Sequence, residues 1–176
     1  MTMNRLLKKI KEVMYSLALS KERYARHVGV RIGKNCMIAT RKWSSEPYLI
    51  FIGDNVQVTN DVYFHTHGGG HVARKDFPNF DVFGKIIIKD GAYIGSGSHI
   101  MPGVTIGKQV LVAAGSIVTK SVPDKMVVAG NPAKIICSVA DYIEKNKKYN
   151  VNTKGLSFKE KKHYLLSLDD EMFIHK

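Results

Sequence analysis

The chain has 176 residues and 19.7 kDa, with 44% hydrophobic and 24% charged residues, enough for one packed domain and too ordinary in composition for bulk disorder. Twenty-seven Lys and Arg against fifteen Asp and Glu leave a formal charge of +12, which points to an anionic partner; no stripe of basic and aromatic residues accompanies it, so nucleic acid is not an expected partner. No apolar run is long enough for a membrane span, the first residues lack a signal-peptide pattern, and Cys36 and Cys137 stand apart as free thiols, so a cytoplasmic protein is expected.

Residues 1–28 carry seven basic and two acidic side chains. Leu6, Leu7, Ile10, Val13, Met14 and Leu17 follow helical spacing, with Lys8, Lys9 and Lys11 on the other face. The pattern predicts a basic amphipathic helix. It either caps the open end of a solenoid core or, through residues 1–20, makes peripheral contact with anionic lipid.

Residues 29–137 form the predicted main domain, and a period of six runs through it. Ile32, Ile38, Ile52, Val58 and Phe64 begin the run, and Val56 and Val62 hold a small-residue slot. After a break the pattern resumes at Ile88, Ile94, Ile100, Ile106, Val112 and Val118. The residue four further on is Ala92, Ser98, Val104, Val110, Ser116 or Val122, small or β-branched every time. A period of six fits neither one helix nor one long strand. It fits a short strand and a turn, repeated, with three units to a coil of about eighteen residues. Ile88 is then expected under Ile106, Ile94 under Val112 and Ile100 under Val118. Gly53, Gly95 and Gly107 are expected to permit tight corners. The fold class is all-β, a parallel β-helix with helices at both ends; a sandwich of short strands would not hold a fixed hexad.

The break spans residues 65–85, a long excursion from a regular scaffold, where function often resides. It holds His65, His67 and His71 beside three glycines. Three readings compete: a general base for proton removal, a metal site, and polar loop histidines with no role. The glycine triplet breaks any helix that would align His67 with His71, and no cysteine or carboxylate clusters with them, so no metal is expected. The Gly-rich stretches GSGSHI and GGGH lack the third glycine of a dinucleotide fingerprint and the Lys-Ser/Thr ending of a P-loop. Residues 138–176 predict a helical tail: a helix over Ser138–Lys148, a polar linker from Asn150 to Gly155, and a capping box at Ser157-Phe158-Lys159-Glu160.

The stretch Pro102–Ile136, PGVTIGKQVLVAAGSIVTKSVPDKMVVAGNPAKII, resembles the C-terminal signature of the sugar O-acetyltransferase branch of the hexapeptide-repeat acyltransferases, which includes maltose and galactoside acetyltransferases. Ser45–Val56 and Thr66–Ile88 resemble a sub-branch of surface-polysaccharide acetyltransferases. The resemblance covers roughly residues 6–148. It implies a left-handed β-helix, a homotrimer with the donor site between subunits, and acetyl-CoA as acyl donor. It implies a sugar, nucleotide-sugar or lipid-linked glycan as acceptor, in surface-polysaccharide or lipopolysaccharide assembly. His67, in Thr66-His67-Gly68-Gly69-Gly70, matches the family's catalytic base. Ser96 matches the backbone donor for the oxyanion, and Ala114, Thr119, Lys120 and Lys134 match CoA-contact positions. His71 is a candidate for acceptor binding, and His65 reads as an outward polar residue. Gly68 departs from the family's Asp: if that Asp holds the other imidazole nitrogen, Asp61, Asp76, Asp81 or a backbone carbonyl must substitute, and if it binds the acceptor, an altered substrate is expected. Two alternatives stay open: N-acetylation of a nucleotide-linked amino sugar, and a non-catalytic hexapeptide scaffold.

Overall fold

The computed structural model describes residues 14, 15 and 18–175. Most of the predicted amphipathic segment, Leu6 to Leu17, lies outside them. Helix α1, Lys21–Val28, lies wholly within the described residues. Ser20 caps it by accepting the Arg23 N–H, and Gly29 ends it at φ 112°. Its Ala25 is fully buried with Val30 in the core, so this helix, beyond the one read from the sequence, packs on the first strands.

The strands are two to six residues long and form three sheets. The first holds β1 (Arg31–Ile32), β3 (Ile50–Ile52), β6 (Ile86–Ile88) and β9 (Thr105–Ile106). The second holds β2 (Met37–Ile38), β4 (Gln57–Val58), β7 (Tyr93–Ile94), β10 (Leu111–Val112), β12 (Met126–Gly130) and β13 (Ala133–Ser138). The third holds β5 (Tyr63–Phe64), β8 (His99–Ile100) and β11 (Ile117–Val118). From β6 to β11 the chain visits the sheets in turn, one short strand each. All the strand pairings are parallel except the closing β12–β13 ribbon.

The register follows the hexad. Ile88 pairs with Ile106, Ile94 with Val112 and Ile100 with Val118. These side chains are at most 1% exposed, and Ala92, Ser98, Val104, Val110, Ser116 and Val122 are buried beside them. Both inward positions of each unit thus fill one continuous core. The glycines act differently from the expectation. The left-handed corner is the third residue after the aliphatic one: Asn35, Asn55, Asp61, Gly91, Gly97, Gly103, Gln109 or Gly115. Gly95 is needed because the next coil leaves no room, since a Cβ there would lie 2.5 Å from the Ala114 nitrogen.

Beyond the sheets, α2 (Val139–Asn146) and α3 (Phe158–Leu166) each start on a capping box, Ser138 with Asp141 and Ser157 with Glu160. Mostly parallel sheets with helices toward both ends make this a mixed fold of β and α. No helix among the described residues is long and apolar enough to cross a membrane.

Candidate active site

The excursion leaves the scaffold after Phe64 and is clamped at its neck. His67 and Phe83 form an antiparallel bridge, and the Gly84 N–H donates to the Thr66 carbonyl at 2.8 Å. His67 is therefore fixed by backbone at the base of the loop. The loop beyond it is mostly exposed and carries the short turn Gly70–Ala73.

A third segment completes the neck. Glu46 precedes the single turn Pro47–Leu49 that leads into β3. Its Oε2 accepts from Thr66 Oγ1 at 2.6 Å and lies 2.8 Å from His67 Nδ1. Ser44 Oγ accepts the Thr66 N–H at 3.2 Å. Thr66 is fully buried, the Glu46 side chain is 17% exposed and the His67 side chain 44%. Burial works to raise the Glu46 carboxyl, but hydrogen bonds from Thr66 and His67 outweigh it and hold the group below the usual glutamate value. An ionised Glu46 can only accept, so Nδ1 carries the proton and the Nε2 lone pair is left for another molecule. The partner of the ring is thus Glu46, rather than Asp61, Asp76, Asp81 or a backbone carbonyl. It lies twenty-one residues upstream, and no spacing rule marks it.

His65 is half-buried, not simply an outward polar residue. Its Nε2 meets His99 Nδ1 at 3.0 Å, and the two rings stack with Tyr63. Burial pushes the His65 imidazole below its ordinary value, and His99 and His67 act the same way. His71 is exposed on the Gly70–Ala73 turn. Among the described residues, no group of three or more His, Cys, Asp or Glu is arranged to hold a metal ion.

The donor-site candidates fall on two corners and the β12–β13 ribbon. Ser96 and Ala114 stack where the second sheet turns into the third: the Gly115 N–H donates to the Ser96 carbonyl at 2.8 Å, and Ser96 Oγ bonds Thr59 Oγ1 at 3.1 Å. Thr119 and Lys120 lie past the other end of the third sheet, the corner from which the His67 excursion departs. Lys134 is exposed on the β12–β13 ribbon, opposite Ala129. Ser96 and His67 of one chain therefore stand at opposite ends of the third sheet's strands.

The model for bacterial transferase hexapeptide (six repeats) matches residues 85–120. Protein CapG of Staphylococcus aureus is 43% identical over 146 residues, covering 81% of this chain and 85% of that protein. A galactoside O-acetyltransferase of Escherichia coli is 35% identical over 114 residues, 64% of this chain and 55% of that one. A hexapeptide-repeat acetyltransferase of Vibrio cholerae, solved in complex with acetyl-CoA, is similar in structure, with a TM-score of 0.57 and 33% identity over 62% of this chain and 60% of that chain. The chain belongs to the hexapeptide-repeat acyltransferase family.

Proposed function

We propose that the chain transfers an acetyl group from acetyl-CoA directly to a sugar hydroxyl of a surface polysaccharide or its precursor, with His67 as general base. The observation that carries this reading is the Glu46–His67 pair at the neck of the excursion. A non-catalytic scaffold has no use for an imidazole whose tautomer is set by a buried-side carboxylate. His67 Nε2 takes the acceptor's proton as its oxygen attacks the thioester carbonyl. Glu46 stabilises the imidazolium that forms, and the Ser96 N–H is the donor for the developing oxyanion. Lys120 and Lys134 supply charge for the CoA phosphates, and the small residues around Ala114 let the thin pantetheine arm lie against the backbone. The CoA-bound relative supports the donor, and the galactoside enzyme supports a sugar acceptor.

The same reading takes residues 29–137 as the catalytic domain, wound as a left-handed β-helix, with residues 1–28 and 138–176 as flanking segments. It places the protein in the cytoplasm, with residues 1–20 as a peripheral membrane contact. It also takes the assembly as a homotrimer. One chain holds His67 and Ser96 at opposite ends of a sheet, and a three-fold arrangement sets one chain's base against its neighbour's Ser96 corner. N-acetylation of a nucleotide-linked amino sugar is the second enzymatic reading. A turnover screen with acetyl-CoA against glycans and nucleotide sugars tests the function. We expect acetylation of a sugar hydroxyl, and His67→Ala to cut kcat by about 10²–10⁴-fold with little change in acetyl-CoA affinity. Near-normal turnover in His67→Ala, or a fully active monomer by light scattering, would overturn the base or the shared site respectively.

A further inference from the structure

A cavity of about 450 Å³ opens beside the Ser44–Tyr48 segment, between α1 and the turn into β3. Its size suits a monosaccharide with a charged substituent. Tyr24, Trp43 and Tyr48 give it aromatic walls, and Arg41, Ser44 and Ser45 give it donors. Among the described residues, no aspartate or glutamate lines it.

Two of these residues are incompletely satisfied. The Arg41 guanidinium donates through Nη2 to the Leu19 carbonyl at 2.7 Å and lies 5.1 Å above the Tyr24 ring. Its Nη1 is buried without a hydrogen-bond partner, and so is Trp43 Nε1. An Arg side chain stays charged at any relevant pH, and among the described residues no carboxylate lines the cavity opposite Arg41. A buried donor left unpaired is costly, and both of these belong to residues that line the cavity, which makes it the place where a bound acceptor would be reached. The cavity also abuts the catalytic neck. Ser44 holds the Thr66 N–H, and Ser45 directly precedes Glu46 in the chain.

We propose that this cavity receives the anionic group of the acceptor, a phosphate or carboxylate carried on a sugar, held by Arg41 and Trp43 next to the segment that orients His67. The sugar rests on the transferase reading above; the anion rests on the cavity alone. Such an acceptor gives the excess positive charge a partner besides CoA. It also makes the chain selective for charged glycans over neutral ones.

The test is calorimetric binding to the full chain without acetyl donor, using inorganic phosphate, glucuronate and neutral galactose as probes. Phosphate bound at Lys120 and Lys134 is subtracted with a Lys120→Ala/Lys134→Ala chain. We expect at least one anionic probe to bind about tenfold or more tighter than galactose, and Arg41→Gln to abolish that preference. Arg41→Lys should keep part of it, and Trp43→Phe should weaken it several-fold. Tighter phosphate than glucuronate assigns a phosphate-bearing acceptor; the reverse assigns an acidic sugar. If Arg41→Gln does not fold, the same chain with Arg41 intact decides by thermal shift, the anion raising Tm and galactose leaving it unchanged. Galactose binding as tightly as both anions, or anion binding unchanged in folded Arg41→Gln, would overturn the proposal. Anion binding without acetylation of any acceptor would refute the transferase reading and leave the site standing.

Discussion

Replacing Glu46 by Gln keeps the shape of the neck and removes its charge. The carboxylate oxygen that meets His67 Nδ1 at 2.8 Å also takes the Thr66 hydroxyl at 2.6 Å. A glutamine amide can turn either way. With its oxygen toward the ring the tautomer survives, but the imidazolium loses its counter-charge. The difference between a charge-assisted and a neutral hydrogen bond is about 1–2 kcal/mol, roughly tenfold in rate. With its nitrogen toward the ring, Nδ1 must accept, Nε2 carries the proton, and no lone pair faces the acceptor. That loss approaches the whole value of a base, about 10²–10⁴-fold. We expect about 10²-fold in kcat for Glu46→Gln, with the acetyl-CoA KM unchanged, and a smaller loss for Glu46→Asp. Steady-state kinetics on the single and double variants separate orientation from folding. Because Glu46 acts through His67, Glu46→Gln added to His67→Ala should cost almost nothing further. Independent, multiplying losses would refute the positioning role. So would a Glu46→Gln enzyme with wild-type kcat.

Gly95→Ala should destabilise strongly, because its Cβ would meet backbone of the next coil at 2.5 Å, whereas Gly97→Ala, at φ 69° with open space around it, should cost only about 1 kcal/mol; thermal melts of both read the contrast. Lys120→Ala and Lys134→Ala should each raise the acetyl-CoA KM roughly fivefold with little effect on kcat, and unchanged CoA binding in the double variant would remove both from the donor site. Acid should destabilise the neck in a definite window. Glu46 is held below its ordinary value, so its contribution is present above the unfolded glutamate range and lost as pH falls through the folded one; Glu46→Gln should flatten that limb of a Tm-against-pH curve.

The fold was legible because its signal is repetitive. Each inward aliphatic residue is repeated three strands later, so the pairings Ile88–Ile106, Ile94–Val112 and Ile100–Val118 follow from counting alone. The small slot four residues on was equally visible, because these positions are buried beside the aliphatic side chains in one packed core. The glycines were read for the wrong reason. Spacing shows that Gly95 recurs after the aliphatic position, but only the stacked coil shows Ala114 occupying the space of its missing side chain. The left-handed corner is harder to see still, since Asn55, Asp61, Gly91 and Gln109 fill it equally.

The site was legible only in the part carried by one continuous stretch of sequence. The interrupted period pointed to the stretch that holds His65, His67 and His71, and only the resemblance to the family's Thr-His motif singled out His67 as the expected base. Glu46 could not be found, since it belongs to the same irregular insertion class as the loop but twenty-one residues earlier, and nothing in a one-dimensional pattern ties the two. What ties them is the buried Thr66 hydroxyl, which needs an acceptor and finds the same oxygen as the imidazole. The family position after the base is Gly68 here, and Gly68 has only Val82 within reach of a would-be Cβ. An aspartate is therefore not excluded by space at that point. In this chain the carboxylate at the ring comes from Glu46, on the other side of the neck. The orienting charge of Glu46 is supplied by a segment, Ser44 to Tyr48, whose other four residues line the Arg41 cavity, so a change in that one stretch of chain reaches both the base and the cavity.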